Sequence, residues 1–229
     1  MTSLDPGAAP AASGALGRAI LRSSTRARDD DRCGLCDVPV ADGHAHVLDE
    51  STGELECACR ACALLFEKDG AGFGHYRLVP DRRLRLSGVS AADLGVPVRL
   101  AFFTVGPDGA VTARYPSPVG ATAWTVDPAA WTAAAAREPG LASMRPAVEA
   151  LLVSTVGGAD EQWLVPIDDC YRLVAVIREA WTGLSGGDRV WGAVEEFFTR
   201  LDGRRGRPGN PIRPNGPHPN GPREENSHG

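Results

Sequence analysis

Five of the chain's six cysteines fall between residues 33 and 62, and four of them form two Cys-x-x-Cys pairs, Cys33 with Cys36 and Cys59 with Cys62. Two thiolates on one tight turn face a common ion, and a second such pair closes a tetrahedral S4 site. The 22 residues between the pairs slightly exceed the spacing of about 15 to 20 usual for paired knuckles. A density of thiols this high is hard to explain by packing alone. The intervening segment supplies the rest of a zinc ribbon. His44–Leu48 reads as a strand, Glu50–Gly53 as a turn, Glu54–Cys57 as the returning strand and Arg60–Phe66 as a short helix.

Cys57 complicates the ligand set. It stands two residues before Cys59, and on a continuing strand both would point to one face. Cys33, Cys36, Cys57 and Cys62 are therefore an alternative set. His44 and His46, on alternate residues of the first strand, read as polar surface residues, with a supporting hydrogen bond to a thiolate as the other reading.

Zn²⁺ and iron both suit an S4 tetrahedron. A rubredoxin-type iron site usually has glycine and proline close around its knuckles, whereas here Asp37 follows Cys36 and Arg60 follows Cys59. Zinc is the expected cofactor, with iron as the alternative. A closed zinc site would hold this small lobe together by on the order of 10 kcal/mol.

Beyond the lobe, short strands are expected at Tyr76–Val79 and Leu84–Leu86, a Ser90-capped turn at Ser90–Asp93, and strands at Val98–Val105 and Ala110–Tyr115. Asp127-Pro128 opens a helix to Arg137. Strands Val148–Val156 and Gln162–Ile167 follow, then a helix Asp169–Trp181 with Asp168 as its cap, and an amphipathic helix Arg189–Leu201. Hairpins interleaved with helices predict an α+β fold: an N-terminal zinc-ribbon-like knuckle, then a mixed, largely antiparallel sheet with packed helices. The expected organisation is a disordered tail (1–30), a metal-binding lobe (31–74), an α+β domain (75–205) and a disordered Pro/Gly/Asn-rich tail (206–229). Both tails are too poor in apolar side chains to offset their ordering entropy.

Three further features are candidates for function. Cys170 follows two carboxylates, Asp168 and Asp169, and no histidine is placed to pair with it, so it reads as a buried small residue rather than a nucleophile. The Pro- and Gly-rich stretch Tyr115–Thr122 is either a binding loop or a structural corner. Trp163, Trp181 and Trp191 are expected to fill core. Arg77, Arg82, Arg83 and Arg85 read as a solvated basic surface.

Charge and composition exclude other classes. A net charge of −5 opposes wholesale binding to nucleic-acid phosphates. Lys68, the only lysine, is followed by Asp69, so no Walker A loop is present. No apolar run is long enough for a membrane span or a secretory signal. A cytoplasmic protein is expected, and in a reducing compartment its cysteines read as metal ligands or free thiols.

Cys57-Ala58-Cys59-Arg60-Ala61-Cys62, Tyr76-Arg77-Leu78-Val79-Pro80-Asp81-Arg82, Ala101-Phe102-Phe103, Tyr115-Pro116-Ser117-Pro118, Val165-Pro166-Ile167-Asp168-Asp169-Cys170-Tyr171 and Gly183-Leu184-Ser185-Gly186-Gly187 together resemble an uncharacterised actinobacterial domain-of-unknown-function family, over roughly residues 31 to 202. Members are typically encoded beside high-affinity nickel-iron hydrogenase genes. The resemblance implies a role in assembling, maturing or wiring that enzyme. An acidic residue often follows the family's Gly-Ala-Thr phrase; Ala123 stands there in this chain, which removes the carboxylate a catalytic loop would use.

The first functional expectation is thus a non-enzymatic zinc-binding accessory protein whose partner is a hydrogenase subunit or maturation factor. An Fe(Cys)4 electron carrier is the second, and a zinc-ribbon nucleic-acid binder the third.

Overall fold

The computed structural model describes residues 32–67, 74–96, 98–117, 120–182 and 187–204. The two expected tails, Lys68, Pro118-Val119 and the phrase Gly183 to Gly186 lie outside the described residues.

The first unit is a three-stranded antiparallel sheet of β1 (Ala45–Asp49), β2 (Glu54–Ala58) and β3 (Tyr76–Leu78), in the order β2-β1-β3. Its β1–β2 turn is built by side-chain chemistry. Asp49 Oδ1 accepts from the Ser51 amide at 2.8 Å and from the Ser51 hydroxyl at 2.6 Å, and Gly53 closes the turn at φ 70°, where a side chain would be strained. The turn sets the register: Asp49 faces Glu54, and His46 faces Cys57. A one-turn helix, α1 (Arg60–Leu64), follows β2.

The second unit is a six-stranded sheet of β4 (Leu84–Arg85), β5 (Leu100–Val105), β6 (Val111–Ser117), β7 (Gly120–Thr125), β8 (Glu149–Ser154) and β9 (Glu161–Pro166), ordered β4-β9-β8-β5-β6-β7. Every described pairing in it is antiparallel. Among the described residues four helices accompany it: α2 (Pro128–Arg137), α3 (Pro139–Ala142), α4 (Ile167–Ala180) and α5 (Gly187–Asp202). The α+β class with antiparallel sheets is as expected.

Strand alternation divides the apolar side chains between two cores. Phe102, Leu152, Trp163 and Val165 pack on one face against Leu173 and Ile177 of α4 and Val194 and Phe198 of α5. Phe103, Leu151, Val153 and Leu164 pack on the other face against Leu94, Val96, Ala134 and Leu141. Trp163 is fully buried, as expected of a core tryptophan, while Trp181 and Trp191 lie at the margin of the same cluster. Leu48 of β1 and Val79 belong to the first of these cores. The cysteine lobe is therefore docked on the face of the large sheet that carries α4 and α5.

Two local expectations are corrected and one open reading is narrowed. The Tyr115–Thr122 stretch belongs to a hairpin, the structural-corner alternative: β7 pairs with β6 from Thr112 opposite Thr125 to Ser117 opposite Gly120. The β7 sequence, Gly-Ala-Thr-Ala-Trp-Thr, mixes strand formers (Thr122, Trp124, Thr125) with Gly120 and two alanines that are not, and pairing to β6 completes the strand. Asp168 is not a helix cap, because α4 already begins at Ile167 and its first turn has no side-chain cap. The arginine cluster is not uniformly solvated: Arg82 and Arg83 reach inward to Glu149 and Asp169, two carboxylates that are essentially fully buried. Buried carboxylates need such partners, since an uncompensated charge in the core costs several kcal/mol (about 3–5).

Candidate metal centre

The first knuckle, Cys33 to Cys36, is a backbone turn clamped on three sides. Asp37 donates its amide to Cys33 O at 2.8 Å, Cys33 donates to Val38 O at 2.8 Å, and Gly34 donates to Cys57 O at 2.8 Å. Asp37 sits at φ 60°, in the left-handed region, which aspartate tolerates better than most residues. The second knuckle is the start of α1. Cys59 is its N-cap, and its Sγ accepts from the Cys62 amide at 3.5 Å while its carbonyl accepts from Ala63 at 2.9 Å.

The ligand atoms of Cys33, Cys36, Cys59 and Cys62 all lie within 4.8 Å of one another. The Sγ atoms of Cys36 and Cys59 are 3.6 Å apart, close to the roughly 3.8 Å edge of a tetrahedron with metal–sulfur bonds of about 2.3 Å. The cluster can hold a metal ion.

Its electrostatics call for a cation. Burial opposes ionisation of Cys33, but the backbone amides of Cys59, Leu35 and Cys36 outweigh it and bring that thiol down to about 6. Cys62 is pushed up, first by burial and then by its three sulfur neighbours. Cys36 is also raised: the Val38 amide favours its thiolate, yet the Cys33 thiol and desolvation prevail. The Cys33 thiolate forms readily and the Cys36 and Cys62 thiols resist following it, as expected of sulfurs converging without positive charge.

Cys57 does not join this set. The strand ends at Ala58 and the chain turns into α1, so the alternation that would have placed Cys57 and Cys59 on one face is broken. Cys57 instead groups with His44 and His46, whose ligand atoms and its own lie within 4.8 Å of one another. The two imidazoles favour the Cys57 thiolate and lower it to about 7. Burial works against the His46 cation, but Asp168 and Cys57 together raise it to about 9. His44 is raised mainly by Cys57. Asp168, though buried, is held down to about 2 by His46 and the nearby arginines.

His44 and His46 are thus not plain surface residues. The signal that finds this trio is the hairpin register, because a turn that pairs Asp49 with Glu54 places His46 opposite Cys57. Cys170 is distant in character: it is fully buried, and burial followed by the charges of Asp169 and Asp168 raises its thiol well above the ordinary value. It has the environment of a packing residue, as expected.

No helix among the described residues is long and apolar enough to cross a membrane. A family of unknown function (DUF5947) matches residues 32–205 of this chain, which therefore belongs to it. No curated protein and no solved structure matches the chain.

Proposed function

We propose that this member of the DUF5947 family is a non-enzymatic, cytoplasmic metal-binding accessory protein whose Cys33, Cys36, Cys59 and Cys62 hold a structural zinc ion. The observation that carries the reading is the convergence of four sulfurs from two clamped knuckles into one tetrahedral-sized cluster. Four protein thiolates fill the coordination shell of zinc and leave no position for substrate. The ion would fix the knuckles against β2 and α1, where the apolar cluster of Val47, Ala58 and Ala63 is small.

A docking role is supported by apolar side chains exposed on the lobe. Val38 beside the first knuckle is 44% exposed, and Leu64 and Leu65 at the end of α1 are 46% and 55% exposed. The resemblance carried by the sequence phrases supports a nickel-iron hydrogenase subunit or maturation factor as the partner. A second reading, an Fe(Cys)4 electron carrier serving that enzyme, rests on the exposure of Cys36, which would bring a cluster edge to the surface. A zinc-ribbon nucleic-acid binder ranks third, opposed by the net charge of −5.

The deciding experiment is metal analysis and visible absorption of anaerobically purified protein, alongside Cys59→Ser. Zinc without colour, lost in the variant, supports the structural reading. Iron with thiolate charge-transfer bands moves the assignment to electron transfer. Absence of any ion sinks both.

A further inference from the structure

We propose that His44, His46 and Cys57 form a second metal site, with three protein ligands and one open position, that takes a borderline divalent ion such as Zn²⁺ and presents it to a small exogenous ligand.

The register of the β1–β2 hairpin sets the donors together: His46 faces Cys57 across the strands, His44 lies one residue before β1, and the two imidazole centroids are 4.8 Å apart. His44 has one ring nitrogen in a hydrogen bond, and His46 has one in an ion-pair contact. His44 Nδ1 lies 2.9 Å from the Ala41 carbonyl, which accepts only from a protonated nitrogen, so Nε2 carries the free lone pair. That Nε2 is buried and has no hydrogen-bond partner. A buried polar atom without a partner is costly and calls for an explanation, and a metal ion supplies one.

His46 Nδ1 lies 3.4 Å from Asp168 Oδ2. A carboxylate behind one ring nitrogen is the arrangement that fixes the tautomer and orientation of a metal-bound histidine and raises its basicity. Asp168 is itself held by Arg172, 3.5 Å away. The carboxylate comes from α4 and the histidine from β1, so the site is completed only when the cysteine lobe is docked on the large sheet. Asp168 is a positioning residue here.

The donor set decides the class of ion. One thiolate and two imidazoles suit Zn²⁺ and its first-row neighbours, while an all-oxygen shell for Mg²⁺ or Ca²⁺ is lacking. Three protein ligands rather than four distinguish this site from the closed tetrathiolate and give it the composition of a site that binds or activates an exogenous group. It does not depend on the tetrathiolate being filled.

The test is titration of the intact chain, stripped of metal under reducing, anaerobic conditions, with Zn²⁺ and separately with Co²⁺ as a visible probe. Two equivalents are expected for the native chain and one for Cys57→Ser and for His44→Ala, the retained one showing the Co²⁺ spectrum of an all-sulfur shell. Far-ultraviolet circular dichroism of both variants shows whether the hairpin persists. Asp168→Asn should weaken the second equivalent about 10- to 100-fold and leave the first unchanged. Azide should shift the Co²⁺ spectrum of the native chain and not that of Cys57→Ser. A single equivalent that survives in both Cys57→Ser and His44→Ala overturns the second site while the tetrathiolate stands. A single equivalent lost in those variants but kept in Cys59→Ser overturns the tetrathiolate and upholds this site.

Discussion

Arg82 grips the buried Glu149 side chain with two hydrogen bonds, Nε to Oε1 at 2.9 Å and Nη2 to Oε2 at 2.6 Å. Glu149 opens β8 in the middle of the sheet, and its carboxylate also accepts from the Arg145 amide at 2.8 Å. The next residue, Arg83, donates at 2.6 Å to Asp169 on α4. Two consecutive arginines thus tie the strap after β3 to both the sheet and the helix layer, next to the residue that meets His46.

Removing one partner of such a pair leaves a buried charge uncompensated. Arg82→Met should destabilise the chain by roughly 3 kcal/mol, the lower end of the range for broken buried pairs because Arg82 is partly solvated. The double variant Arg82→Met, Glu149→Leu should recover much of the loss. Guanidinium unfolding followed by tryptophan fluorescence reads both. A single variant within 0.5 kcal/mol or so of the native chain would mean that Glu149 is satisfied without Arg82.

The core facing α4 and α5 sets a second expectation. Leu152 and Phe102 pair across β5 and β8 and are both fully buried. Leu152→Ala should cost about 2–5 kcal/mol and Phe102→Ala about 3–5 kcal/mol. Because the two side chains face one another in the same core, their effects should not add. A double variant whose loss equals the sum of the singles would show that the sites relax independently.

If the four-cysteine cluster holds the proposed ion, the cysteine lobe should depend on it more than on its own packing. Its buried apolar cluster has only Val47, Ala58 and Ala63 among the described residues, whereas Leu48 and Val79 anchor it to the large core. A strong chelator should therefore open the knuckles and α1 while β5, β8 and β9 stay folded. Hydrogen exchange would show protection lost at Cys59–Leu64 and retained at Leu100–Val105. Equal loss in both regions would contradict a structural ion confined to the lobe.

Much of this was legible in the sequence because its signals are local. The paired Cys-x-x-Cys spacing marks the four-cysteine cluster, the short apolar runs in Leu100–Val105 and Glu149–Ser154 mark strands buried on both faces, and Asp127-Pro128 marks the start of α2, where the Asp127 carboxylate accepts from the Ala129 amide at 3.1 Å. The failures are non-local. β7 carries strand formers only at Thr122, Trp124 and Thr125, and its pairing with β6 supplies the rest. Asp168 reads as a cap in its own heptapeptide and becomes a partner of His46 only through docking of the two sheets. Arg82 and Arg83 look solvated until the strap carries them over buried carboxylates.

The turn that fixes the register of the hairpin carries a pH-dependent element. Asp49 is held below the usual carboxylate range, foremost by the Ser51 hydroxyl and then by the Ser51 and Thr52 amides and His75, with burial opposing them. A carboxyl whose folded value is depressed stabilises the fold above its unfolded value, near 4 (about 3.9), and that contribution disappears as pH falls through the lower folded value. The stability gap between the native chain and Asp49→Ala should therefore be widest near neutrality and narrow on acidification below about pH 4. Denaturant unfolding at a series of pH values measures it. A gap that stays constant across the series would show that the Asp49 charge contributes nothing to the hairpin that holds His46 opposite Cys57.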